Sequence, residues 1–193
     1  MKLLRLFALL AAGVSPVFAT DPAFDQWADA LTVETMRATP TGATAAQFFS
    51  GAEQDALDRQ LTPITKAYRA ARIAKAKAAL AELAKFDRAR LDAEQRISAS
   101  IIEWSLKGTV DSEPFADFNF TFSQFGGLQV SLVNFLSQTH PIRNARDIEN
   151  YLARLAQLAP LLDAGIAEAT ARAKAGIRSE ERRVGKECLR LCR

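Results

Sequence analysis

Protein chemistry needs groups that trade protons, attack electrophiles or hold metal ions, and this sequence is poor in them. It has one histidine, His140, and two cysteines, Cys188 and Cys192, both close to the C-terminal end. A catalytic zinc site takes about three protein ligands, so His140 alone cannot form one, and its place just before Pro141 in a turn predicts structural work. No His-Glu-x-x-His, no Gly-x-Ser-x-Gly and no glycine-rich phosphate cradle occurs anywhere in the chain. Carboxylates are plentiful. Asp87, Asp92, Asp117, Asp147 and Glu149, however, fall where helix caps, turns and the positive ends of helix dipoles already explain an acidic residue. No catalytic, cofactor-binding or metal-binding residue is therefore assigned within this chain.

The elements around these residues read as helices: alanine is frequent, while glycine and proline are few. Asp21-Pro22 opens a first helix over 25–37, with Phe24, Trp27, Ala28, Leu31 and Met36 along one stripe, and Thr39-Pro40-Thr41-Gly42 closes it. A second short helix is expected over 52–60. Thr62-Pro63 then reads as the cap and first turn of a long helix to about residue 85. Its thin apolar stripe leaves Lys66, Arg69, Arg72, Lys75 and Lys77 as a solvated basic face. Asp92-Ala93-Glu94-Gln95 has the spacing of a capping box, and the following helix should carry Ile97, Ile101 and Trp104 inward and stop at Gly108. Phe118, Phe120 and Phe122 alternate with polar residues. That period of two predicts an extended segment over 114–125, laying three rings into a groove between helices. Leu128 to Ser137 forms a further helix with Leu128, Leu132, Val133, Phe135 and Leu136 mostly inward. Asn144 caps the next, whose stripe runs through Tyr151, Leu152, Leu155 and Leu158. Pro160 should kink or split that helix, and Gly176 should end it. The expectation is an all-α protein of antiparallel helices, five to seven in number, with one extended Phe-rich segment and no sheet.

The two ends are of another kind. Lys2 and Arg5 precede an apolar stretch, Leu3 to Val14, and Val17-Phe18-Ala19 reads as a small-x-small cleavage site, so residues 1–19 have the layout of a secretory signal peptide. The stretch is shorter than the roughly 20 residues that span a bilayer. A periplasmic or secreted protein, free of the membrane after cleavage, is the expectation. From Arg178 onward the chain follows neither helical nor strand periodicity. Arg178 to Cys188 resembles translated sequencing adapter: the common short-read adapter, read in its first frame, encodes those residues one for one. The domain reading is thus 1–19 signal peptide, 20–177 a partial helical domain, and 178–193 an artefactual tail with few contacts. Six of the 25 Lys and Arg and three of the 22 Asp and Glu lie in that tail, leaving 19 of each. Without Lys2 and Arg5 the remainder is mildly acidic. The basic balance of the whole chain therefore gives no footprint for nucleic acid, and no thiol is left for a disulfide or a nucleophile.

Ser50-Gly51-Ala52-Glu53-Gln54-Asp55-Ala56-Leu57-Asp58-Arg59-Gln60-Leu61-Thr62-Pro63, together with Asn144-Ala145-Arg146-Asp147-Ile148-Glu149-Asn150-Tyr151-Leu152-Ala153-Arg154-Leu155, resembles the beginning of the bacterial family catalogued as domain of unknown function 885. The resemblance spans Phe24 to Ile177. It implies an exported, mostly helical protein of several hundred residues, similar to zinc metallopeptidases, whose metal motif lies downstream of this segment. Zinc is thereby implied for the full-length parent and no cofactor for this chain. The implied partners are the missing C-terminal part of the same protein and, in full-length form, a peptide substrate. A truncated piece of this kind should expose apolar helix faces as a patch above ~400 Å². A self-contained periplasmic helical binding or scaffolding domain is the alternative.

Overall fold

The chain enters its first helix at Asp21, whose carboxylate accepts the backbone N–H groups of Ala23 and Phe24. Pro22 then occupies a position whose N–H would have had no partner. In the computed structural model, which describes residues 20–178, this helix is α1 (Pro22–Ala38). It is followed by α2 (Pro40–Ala46), α3 (Gly51–Asp58), α4 (Lys66–Leu83), α5 (Ala93–Asp111), α6 (Leu128–Asn134), α7 (Ala145–Leu155) and α8 (Leu158–Lys174). A 3-10 turn covers Glu113–Phe118 and a π-helical turn Phe135–Thr139. No strand occurs among the described residues. The fold is all-α, as the composition and periodicity require. The expected signal peptide, 1–19, and all of the adapter-like tail 178–193 except its first residue, with the tail's expected lack of contacts, lie outside the described residues.

The departures from the expected helix bounds have identifiable causes. Pro40 ends α1 but also starts α2, because a proline that cannot continue one helix is preorganised for the first turn of the next. Thr62 does not cap α4. Its hydroxyl is taken by Thr41, through the backbone N–H at 3.1 Å and the side chain at 2.6 Å, so the cap passes to Thr65, which accepts the Tyr68 N–H at 3.2 Å. Downstream, the chain divides α7 from α8 at Ala156 and Gln157, just ahead of Pro160, and Gly176 ends α8 with φ of 84°. With these breaks, eight α-helices stand among the described residues where five to seven were expected.

Helices α4 and α5 form an antiparallel pair, with Lys77 reaching Glu113 at 2.7 Å and Arg88 reaching Glu103 at 2.7 Å. The Asp92–Gln95 capping box is present, and Gln95 does more than cap. Its amide donates to the Asp21 carbonyl at 2.9 Å and to the Asp25 carboxylate at 2.7 Å, while its oxygen accepts the Asp21 N–H at 2.9 Å. The start of α1 is thereby pinned to the start of α5. Behind the pin lies an apolar core of Phe24, Leu83, Leu91 and Ala99, backed by Trp27 and Phe86. The three rings pack at 5.5–5.9 Å between centroids, with Phe24 and Phe86 edge to face. Such pairs contribute about 0.5–1.5 kcal/mol beyond area burial.

Three expectations are corrected. Helix α5 continues through Gly108 to Asp111, and its Ile97, Ile101 and Trp104 point outward, with Trp104 79 % exposed. The core takes Ala99 and Ile102 instead, because the pin at Gln95 sets the rotation of the helix. The Phe-rich segment is not extended throughout: Glu113–Phe118 is 3-10 helix, and Phe115, Phe118 and Phe125 are exposed. Val133, expected inward on α6, is exposed as well.

Phe122 is held in place. Arg172 on α8 donates to the Asn119 carbonyl at 2.9 Å and to the Thr121 hydroxyl at 3.1 Å, strapping this segment down. A Cβ on Gly165 would stand 3.1 Å from the Phe122 ring and 3.2 Å from Leu128. Helix propensity alone would favour alanine over glycine by about 1 kcal/mol. We expect Gly165→Ala to forfeit that gain, and Gly165→Leu to lower stability by roughly 1–3 kcal/mol through overpacking, measured by urea unfolding.

Candidate functional site

The most strongly organised polar group of the described residues surrounds Arg154, which is fully buried with 0 % exposure. It sits on α7, whose inward face is polar: Asp147, Asn150 and Arg154, at spacings of three and four, are the buried residues of that helix. The apolar row beside them, Ile148, Leu152 and Leu155, faces outward. This reverses the expected stripe. A buried guanidinium is tolerated only when its donors are met, and here they are. Nε donates to the Gln60 carbonyl at 2.8 Å, one terminal nitrogen to the Leu57 carbonyl at 2.9 Å and the Thr44 hydroxyl at 2.5 Å, and the other to His140 Nδ1 at 2.6 Å. Two of these acceptors are backbone carbonyls where α3 ends, that of Leu57 also accepting the Gln60 N–H at 3.0 Å. The guanidinium also lies over the Phe135 ring, 4.8 Å from its centroid.

Around this hub the network closes on itself. Thr44 donates to Asp58 at 2.5 Å, Gln54 donates to the same oxygen at 2.8 Å, and Asp58 stands 4.0 Å from the guanidinium. Asn144 caps α7 by accepting the Asp147 N–H at 3.1 Å. Asp147 in turn accepts from the Arg143 backbone at 2.8 Å and from its side chain at 3.0 Å. The Arg143 guanidinium beside it holds the Asp147 carboxyl below the usual range. Every described buried side-chain nitrogen or oxygen has a hydrogen-bond partner. Burial lowers Arg154 to about 10, with Asp58 opposing the shift, so the side chain remains a cation at neutral pH.

The state of His140 follows from its partners. A guanidinium only donates, so Nδ1 carries no proton, and the proton on Nε2 faces the Asp147 carbonyl at 3.3 Å. His140 is neutral. Burial, reinforced by the Arg154 charge, lowers its pKa below 6.5. Both ring nitrogens are engaged, so the imidazole is placed to orient α7 against the π-helical turn rather than to hold a metal. Among the described residues no three His, Cys, Asp or Glu side chains gather at ligand spacing. The other carboxylates singled out in the sequence also have partners: Asp87 accepts the Ala89 N–H, Asp92 caps α5, Asp117 approaches Arg172, and Glu149 pairs with Arg146.

Residues 40–192 match the model of a family described as bacterial protein of unknown function (DUF885). The chain belongs to the DUF885 family. No curated protein and no solved structure matches it. The matched stretch opens at the first residue of α2, takes in the whole Arg154 network of this DUF885 chain, and runs on into residues 179–192, outside the described part. The two segments that carry the resemblance in sequence, 50–63 and 144–155, are the segments that supply Gln54, Asp58, Asp147, Asn150 and Arg154 to this network. Sequence reading singled out His140 and Asp147 but passed over Arg154, Thr44 and Asp58. A signal was present: α7 offers a polar row and an apolar row side by side, and only the polar row contains a residue long enough to reach across to α2 and α3.

Removing one partner of a buried charged network costs about 3–5 kcal/mol, and we expect Arg154→Met to lose that much on urea unfolding, with Thr44→Val losing less. The histidine gives a pH dependence. Its folded pKa lies below the unfolded value of 6.5, so the unfolded chain binds more protons in the window just below 6.5 and stability falls there as pH is lowered. His140→Gln should flatten the stability profile in that window, whereas an unchanged slope would remove His140 as its source.

Proposed function

We propose that this chain is the N-terminal helical part of a longer exported protein of the metal-dependent peptidase kind, and that it serves there as a scaffold for a catalytic part it does not itself contain. The observation that carries the reading is the outward turn of two apolar rows, Ile97, Ile101 and Trp104 on α5 and Ile148, Leu152 and Leu155 on α7. Burying such side chains against a partner is worth on the order of 1.5–3 kcal/mol each. Rows of this size left in water mark docking surfaces. A downstream part of the same protein is the partner to which the family resemblance leads, and the signal-like residues 1–19 support a periplasmic or secreted location. No helix among the described residues is long and apolar enough to cross a membrane.

The described residues do not fit a zinc site, since His140 is fully engaged and no ligand cluster forms. No step of peptide hydrolysis is therefore assigned to them. Any zinc and its attendant glutamate belong downstream.

We expect the uninterrupted gene to encode a protein that cleaves some peptide, loses that activity to a chelator and regains it with zinc, while residues 20–177 alone do neither. Chelator-insensitive cleavage by the short piece would overturn the proposal. Trp104 supplies an independent readout: in a Trp27→Phe background its emission should shift to the blue in the longer protein. An unshifted emission would favour a self-contained helical binding domain instead.

A further inference from the structure

Helices α1, α4 and α5 enclose a groove of about 620 Å³, within the range of roughly 300–1,000 Å³ that small-molecule sites occupy. Its origin is compositional. Where α4 faces the other two helices it carries Ala76 and Ala79, whose methyl groups leave the space between Trp27, Leu31 and Met36 on α1 and Ile102 on α5 unfilled.

The groove has direction. Helix α1 runs antiparallel to α4: the Tyr68 hydroxyl donates to the Ala38 carbonyl at 2.9 Å, Lys75 reaches Glu34 at 2.6 Å, and Leu83 meets Phe24 in the core. One end therefore lies against the aromatic core beside Trp27. The other is lined by Thr35, Thr39 and Arg72. The charges along the rim are unequal. Glu34 is matched by Lys75 and Glu82 by Lys85, each at 2.6 Å, whereas Arg72 has no ion-pair partner among the described residues. The rim thus keeps one uncompensated cation at the polar end of an apolar trough.

We infer that this groove binds a long-chain carboxylate, its alkyl chain lying along Trp27, Leu31 and Ile102 and its head group against Arg72. A single anionic head answers the one unmatched guanidinium, and a flexible alkyl chain suits walls made of alanine and branched aliphatic residues. The site is independent of the peptidase reading, because it uses neither a metal nor the outward rows of α5 and α7 beyond Ile101 at its edge.

The test uses the full 193-residue chain carrying Trp104→Phe, a change at an exposed position, so that Trp27 alone reports. Dodecanoate, kept below its micelle concentration, should change Trp27 emission saturably with one site per chain. Arg72→Gln, also on an exposed helix position, should weaken that binding by roughly fivefold, the scale of one solvent-facing ion pair, while the affinity for uncharged dodecanol stays the same in both forms. Ala78→Phe, which sets a ring over the groove from another exposed position, should weaken both ligands. Thermal melts establish that each variant is folded. A response that never saturates means adventitious binding only, and this result, the absence of any response, or equal dodecanoate affinity with and without Arg72 would each overturn the inference.

Discussion

One buried cation governs how α7 meets α2 and α3. The Arg154 guanidinium satisfies its donors on α2, on the end of α3 and on the residue just after the π-helical turn, so three separate stretches of chain share one set of hydrogen bonds. A charge in that position is costly unless every donor is matched, and the matching fixes geometry: the C-terminal carbonyls of α3 must point at α7, and Thr44 must stand between Arg154 and Asp58. The orientation of α7 is a consequence. Rotating the helix to hide Ile148 and Leu152 would strand Arg154, Asn150 and Asp147 in water and take the guanidinium away from the carbonyls of Leu57 and Gln60.

The packing of α1, α4 and α5 is organised by a different force. Phe24, Leu83, Leu91 and Ala99 form an apolar cluster closed by a ring trio, and Gln95 sets how α1 meets α5. The DUF885 match begins after α1, at residue 40, so the polar hub lies inside the family stretch while Phe24 and Trp27 lie before it.

How much of this was legible in the sequence follows from the range of each interaction. Asp21-Pro22, the Asp92–Gln95 box, Asn144 and Gly176 act within a turn of where they stand, and each does what its residue type requires. Thr62 failed as a cap because Thr41, 21 residues earlier, engaged its hydroxyl. The facing of α5 and α7 was illegible for the same reason on a larger scale. Periodicity identifies an apolar row but not its partner, and here Ala99 and Arg154 found inward partners while Trp104 and Leu152 did not. Arg154 stayed hidden because a lone arginine on an amphipathic helix ordinarily lies in solvent.

The hub also sets an order of assembly in time. Thr44 and Asp58 are 14 residues apart and Gln54 and Asp58 only four, so the acceptor half of the socket can form as soon as α2 and α3 exist. The guanidinium that fills it comes from a residue 110 positions beyond Thr44. Closing so long a loop is entropically slow compared with zipping neighbouring helices such as α4 and α5. Loop closure therefore places the contacts between α2 and α3 ahead of the contact that joins them to α7.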